Sequence, residues 1–289
     1  MKNIITMTAL LLAVVLACDA EGRILFYPTV LDGAKNLLAD ARWTEPKLDS
    51  EKECVATEVK GGPFSSDENA WRVESFAPES AYWRTYPQVE KGHVYMVGAW
   101  VRYSNAKILF WNYGKNPVNG KRVDQRVYSF GGFNSYLSPY LSERTKRNLG
   151  GDPDSWKLIW RFLEFPDGLA DGQLCVAMGI YMATGAMTFA SPFLVDVTGN
   201  ADSSLTIDIR DAKPIRKLTI VHPELKDTIW MKEFATPVTE YRETIGGAIT
   251  DYRRGFENNK VAGHALNVFY ADGSSTVVFA PQENIFQGR

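Results

Sequence analysis

Strand-type patterning fills this chain almost from end to end and helical patterning is scarce, which leaves few folds open to it. Val94-Tyr95-Met96-Val97-Gly98-Ala99-Trp100-Val101-Arg102-Tyr103 is a β-branched and aromatic run, Ile108-Leu109-Phe110-Trp111 follows a polar turn, and Trp156-Lys157-Leu158-Ile159-Trp160-Arg161-Phe162 alternates. Leu174 to Tyr181 and Met187 to Val197 complete the set. Only Gly33 to Ala41 and Tyr136 to Asn148 offer short helical turns. Many strands parted by turns, with no alternating helices, predict an all-β fold of antiparallel sheets packed face to face.

The first residues follow a different rule. Met1-Lys2-Asn3 is positively charged, Ile4 to Ala17 is apolar but short of the roughly 20 residues that cross a bilayer, and small residues precede Cys18. That is the layout of an export signal over residues 1–18. Val15-Leu16-Ala17-Cys18 resembles the lipobox of bacterial lipoproteins. The resemblance implies lipidation of Cys18, a lipid anchor in a membrane, and a periplasm-facing or surface location in the bacterial cell envelope. An ordinary secretory signal, or an apolar N-terminal helix, is the alternative. Residues 19–33 then read as a tether.

A small, polar stretch at residues 199–204 reads as a linker. Beyond it, Leu205 to Ile209, Ile215 to Val221, Thr228 to Phe234, Pro237 to Ile245 and Ala265 to Ala271 again look like strands, and Asp272-Gly273 marks a hairpin to Thr276. Residues 205–289 are therefore expected to form a smaller all-β domain, an immunoglobulin-like sandwich. The net charge of −2 gives no attraction to nucleic acid. With Cys18 assigned to lipid, Cys54 and Cys175 remain, each in a strand-like run. They either pair outside the cytoplasm or stay as small buried hydrophobes.

Four stretches give residues 34–198 a family likeness. Asn36-Leu37-Leu38 opens the region, Val89-Glu90-Lys91-Gly92-His93-Val94-Tyr95 leads into the long central strand, Ser155-Trp156-Lys157-Leu158 follows, and Gly185 to Val197 closes it. Together they resemble the jelly-roll carbohydrate-binding modules. The resemblance implies a jelly-roll β-sandwich that holds glycan without chemistry. Jelly rolls also serve as spacers and adhesive modules in surface proteins and phage fibres, so a structural or adhesive role with a protein partner stays open.

Sugar binding asks for exposed aromatics, because the C–H face of a pyranose stacks on Trp or Tyr while its hydroxyls reach polar side chains. With 8 Trp and 13 Tyr the chain has rings to spare. The candidates are Trp83 and Tyr86 before Gly92, Trp111 and Tyr113 at a strand end, and Tyr136 and Tyr140 in a long loop. Arg84, Asn112, Gln125 and Asn134 are the candidate hydrogen-bonding partners. Trp100, Trp156 and Trp160 alternate with polar neighbours and are expected in the core. Likeness to jelly-roll modules implies a structural calcium at Asp40 and Asp196, with a strand-edge charge and a solvated turn as the rival explanation. No other cofactor is expected.

Catalysis finds little support. The chain has no Gly-x-Ser-x-Gly elbow, His-Glu-x-x-His, Cys-x-x-Cys or phosphate-cradling loop. His93, His222 and His264 fall in unrelated turns. A polysaccharide lyase or glycosidase needs no local motif, and Glu74, Glu90 and Glu164 lie in strand-like runs. A non-catalytic envelope protein is the expectation.

Overall fold

Period-two alternation becomes geometry here: successive side chains of each strand point to opposite faces, so one strand can feed two different cores. The computed structural model describes residues 23–104, 108–115, 122–123, 128–130, 136–137, 156–164, 172–199, 204–221, 228–246 and 265–279. The chain runs through β1 (Arg23–Pro28), a 3-10 turn (Thr29–Leu31), β2 (Thr44–Leu48), β3 (Cys54–Lys60), β4 (Asn69–Ser75), β5 (Ala81–Thr85) and β6 (Gln88–Val89). It continues with β7 (Val94–Ser104), β8 (Ile108–Lys115), β9 (Arg122–Val123), β10 (Tyr128–Phe130), β11 (Tyr136–Leu137), β12 (Lys157–Glu164), β13 (Gly172–Ile180) and β14 (Gly185–Asp196). The last four are β15 (Leu205–Val221), β16 (Thr228–Ile245), β17 (Ala265–Tyr270) and β18 (Ser275–Phe279).

Two antiparallel sheets make a jelly-roll β-sandwich. A six-stranded sheet runs β10-β12-β7-β14-β4-β3, and a seven-stranded sheet runs β11-β8-β13-β5-β2, with β6 added to β13 and β9 to β8. Consecutive strands cross between them: β4 to β5, β7 to β8, β12 to β13 and β13 to β14. Between the sheets lies one core, holding Trp43, Trp83, Tyr95, Val97, Phe110, Ile159, Met178 and Phe189. Trp71 packs against it, stacked on Phe189 at 5.4 Å.

Gly33 to Ala41 forms turns instead of a helix, because Asn36 is committed elsewhere. Its Oδ1 accepts from Leu38 N at 2.9 Å and Leu194 N at 3.0 Å, and its Nδ2 donates to the Pro192 carbonyl. This side chain pins the entry of the sandwich onto β14, where the register slips between Ala190 and Phe193 and Ser191 takes φ 45°. Tyr136 begins strand β11, and the rest of the helix expected from it lies outside the described residues.

The third sheet corrects two expectations. Residues 23–28 are strand, not tether: β1 pairs antiparallel with β15 from Arg23↔Arg210 to Pro28↔Leu205, burying Leu25, Phe26 and Tyr27. The C-terminal strands do not make a two-sheet immunoglobulin-like sandwich among the described residues. They form one sheet, β1-β15-β17-β18 with β16 on β15, and it lies against the outer face of the six-stranded sheet. There Met96, Trp100, Leu158, Trp160, Phe193 and Val195 share a second core with Ile207, Ile209, Leu218, Ile220 and Val268. Trp100 and Trp160 are thus buried as expected, and Trp156 sits half-buried at the edge with the Arg102 guanidinium 4.8 Å from its ring. Gly98 is required at this interface, since a Cβ there would meet the Ile159 carbonyl at 2.2 Å.

No helix of the described residues is long and apolar enough to cross a membrane.

Candidate functional site

The seven-stranded sheet has an outer face that no described strand covers. Parity decides what it carries. Ala81, Trp83, Ile108, Phe110, Leu174, Val176, Met178 and Ile180 point into the sandwich, so their neighbours point out. Those neighbours are Tyr82 and Arg84 on β5, Leu109 and Trp111 on β8, and Cys175, Ala177 and Gly179 on β13.

The pairing turns this list into a shape. Ala177 stands between Arg84 and Trp111, and Gly179 between Tyr82 and Leu109. A central strip of small side chains therefore runs between two walls of larger ones, which sit about 10 Å apart across two strand spacings. Gly179 keeps the strip low, because a Cβ there would meet the Ala81 carbonyl at 2.1 Å. Tyr82, Leu109, Cys175 and Ala177 form a small buried cluster, and the half-buried rings of Tyr86, Trp111 and Tyr181 pack against it. Lys47 extends the β5 wall, in register with Tyr82 and 3.7 Å from Asp49.

The residues expected at a sugar site separate accordingly. Trp111, Tyr86 and Arg84 come together on this face. Tyr113 follows Trp111 on β8, in register with Cys175, and Tyr136 pairs with Leu109 from β11. Trp83 is a correction: it lies in the core at 6% exposure, its indole N–H donating to the Arg72 carbonyl, because its parity is opposite to that of Tyr82. Asn112 is a second, as it alternates with Trp111 and turns inward, where neither Nδ2 nor Oδ1 finds a hydrogen-bond partner among the described residues. Gln125, Asn134 and Tyr140 lie outside the described residues. Tyr82, Tyr181 and Lys47 escaped the sequence reading; fixing Trp83 as core would have exposed Tyr82 by its one-residue offset.

Cys54 and Cys175 do not pair. Cys54 sits on β3 in the central core, 3.4 Å from Ser75 Oγ, whereas Cys175 belongs to the outer cluster of the other sheet. A layer of packed side chains separates them.

Asp40 is exposed in a turn. Asp196 already has partners: Oδ1 accepts from Thr198 N at 2.9 Å, and Oδ2 lies 2.6 Å from His93 Nδ1. Burial pushes its carboxyl up, but the hydrogen bonds from Thr198 and His93 outweigh that and hold it below the ordinary carboxylate range. Glu90 closes on the other ring nitrogen, 3.5 Å from His93 Nε2. This Glu90–His93–Asp196 row ties the start of β7 to the end of β14 and was not visible in sequence. No group of three or more metal-ligating side chains occurs among the described residues. Of the carboxylates considered for catalysis, Glu74 is held by Arg72 at 3.1 Å.

A cavity of about 190 Å³ opens on the other side of the molecule, where β1 meets the six-stranded sheet. Tyr27, Phe64, Trp100 and Phe193 line it edge to face, with Asp32 and Ser191 among its polar residues. Asp32 is already engaged by Tyr27 and Arg242, and Ser191 by Glu68.

No family model matches the sequence, and neither does any curated protein. Among solved structures the chain is similar to the enzymatically active domain of bacteriophage CBA120 tailspike protein 4, at 10% identity and a TM-score of 0.39, over 58% of this chain and 21% of that one. It thus spans about a fifth of the tailspike chain. It is also similar to a CBM4 structure (9% identity, TM-score 0.32, 60% of this chain and 86% of that one). A third similarity is to the N-terminal CBM22-1–CBM22-2 tandem domain of Paenibacillus barcinonensis Xyn10C (7%, 0.33, 93% and 94%).

Proposed function

We propose that this protein binds a glycan chain, without transforming it, along the outer face of the seven-stranded sheet. The observation that carries the reading is the pair of half-buried rings Trp111 and Tyr86 with half-buried Arg84 on one face, above a fully buried floor of Leu109, Cys175 and Ala177. Aromatic walls supply apolar surface for sugar C–H groups, and Arg84 supplies oriented donors. Replacing Trp111 with Ala is expected to weaken binding on a glycan array about five- to tenfold, since one ring stack contributes on the order of 1 kcal/mol. Unchanged binding in a folded Trp111→Ala protein defeats the reading.

The same proposal places the protein at the bacterial cell envelope, held by lipid on Cys18. Incorporation of a palmitate analogue that disappears in Cys18→Ser supports the anchor, and equal labelling of both removes it.

Adhesion to a protein partner is the second reading, and β16 favours it. This 18-residue strand pairs only with β15 among the described strands and leaves Ile229 and Met231 exposed near its start. An open strand edge is a template for another chain.

A further inference from the structure

One charge on the outer face of the seven-stranded sheet has no counter-ion among the described residues. Arg84 is half-buried, and its Nε is shielded from solvent with no acceptor. No carboxylate pairs with it among the described residues; the Tyr82 ring lies 5.9 Å from the guanidinium carbon. Arg42 and Arg216, which also have no carboxylate partner among the described residues, are exposed, and half-buried Arg102 lies 4.8 Å from the Trp156 ring. Arg23 and Arg242 share Asp208, Arg72 takes Glu74, Arg210 takes Glu240, and Lys47 on the same face as Arg84 has Asp49.

A partly desolvated cation without a counter-ion is unfavourable unless an anion arrives to meet it. The guanidinium fork matches the geometry of a carboxylate or a sulfate oxygen pair and binds either through charge-assisted hydrogen bonds. Its place is what gives it meaning: on the wall shared with Tyr82 and across Ala177 from Trp111, two strand spacings or about 10 Å away. We propose that the saccharide taken by this face is anionic, its uronate carboxylate or sulfate ester docking on Arg84 while its ring lies against Trp111. This rests on the glycan-binding reading and narrows it to acidic chains.

The experiment compares matched pairs on the full chain by calorimetry: oligogalacturonate against its methyl ester, and sulfated oligosaccharides against their desulfated forms. The two arms separate the carboxylate from the sulfate. At least one acidic member is expected to bind about ten- to a hundredfold more tightly than its neutral twin, with the advantage shrinking as salt rises. Arg84→Gln is expected to erase that preference, bringing acidic and neutral members to equal affinity, and Arg84→Lys to keep part of it. Equal affinity for acidic and neutral members overturns the proposal, as does a full preference surviving in Arg84→Gln. Should Arg84→Gln fail to fold, the wild-type comparison decides alone. Neutral saccharides bound through Trp111 with no charge preference sink this proposal and leave the glycan reading standing; no saccharide bound at all removes both.

Discussion

The two sheets of the sandwich share an inner core but treat their outer faces in opposite ways. On the six-stranded sheet, the outward residues Met96, Trp100, Trp160 and Phe193 are large, apolar and sealed beneath the β15–β17 sheet. On the seven-stranded sheet, the outward residues of the central strand shrink to Cys175, Ala177 and Gly179, and the flanking rings of Trp111 and Tyr86 stay half-buried beside an unneutralised Arg84. One face is built to be covered by the chain itself. The other leaves part of two aromatic rings and one guanidinium accessible above a buried floor of Leu109, Cys175 and Ala177.

The harshest way to break this contrast is to remove residues 205–289. The outer face of the six-stranded sheet then loses its cover, and the shortened protein is expected to aggregate or bind a hydrophobic dye, as size-exclusion chromatography with dye fluorescence will show. A soluble, dye-silent fragment means the second core is dispensable.

Next in size is a matched pair of tryptophans. Trp160, at 0% exposure in the second core, is expected to cost about 3–5 kcal/mol on replacement with Ala. Trp111→Ala is expected to cost about 1 kcal/mol of stability, because only part of its ring leaves water, while binding suffers most. Urea denaturation of both variants measures the gap; equal losses erase the distinction between faces.

Gly98→Ala sharpens the comparison further. The new methyl would press on the Ile159 carbonyl and on the ring of Phe193 at 2.6 Å, for a loss of about 1–3 kcal/mol. A neutral outcome means β12 and the Phe193 ring can give way around Gly98.

The smallest effect concerns Asp196. Its carboxyl titrates below its ordinary value, so it stabilises the fold at pH above that value and the contribution vanishes as pH falls through the lowered one. Asp196→Asn is expected to lower stability by less than about 1 kcal/mol at pH 6, with the two proteins converging in acid. A constant gap across pH 3 to 6 contradicts the His93 and Thr198 clamp.

How much of this was legible in the residues depended on parity. Strand composition identified an all-β sandwich, and Asn36-Leu37-Leu38 marked its entry, where Asn36 does hold β14. What alternation could not supply was phase. Tyr82 and Trp83 are adjacent and both aromatic, and only the partner sheet decides which of them faces in. The second core left a trace that went unused: Tyr95 to Val101 is apolar without a break, as suits a strand buried on both faces. β1 escaped because Arg23–Pro28 falls in a stretch read as a tether and pairs with a segment about 180 residues later in the chain, a distance no local pattern reports. Glu90, His93 and Asp196 likewise meet only after β7 and β14 are laid side by side.

The β1–β15 pairing also fixes how the molecule meets mechanical load. Six residues of the first strand lie antiparallel to β15, so a pull on the N-terminus along that strand shears all six pairings together instead of peeling them one by one. Tension entering there is shared between the C-terminal sheet, through those pairings, and the sandwich, through the packed face and the chain that runs on to Asn36. The seven-stranded sheet lies at the far end of that path, beyond the six-stranded one.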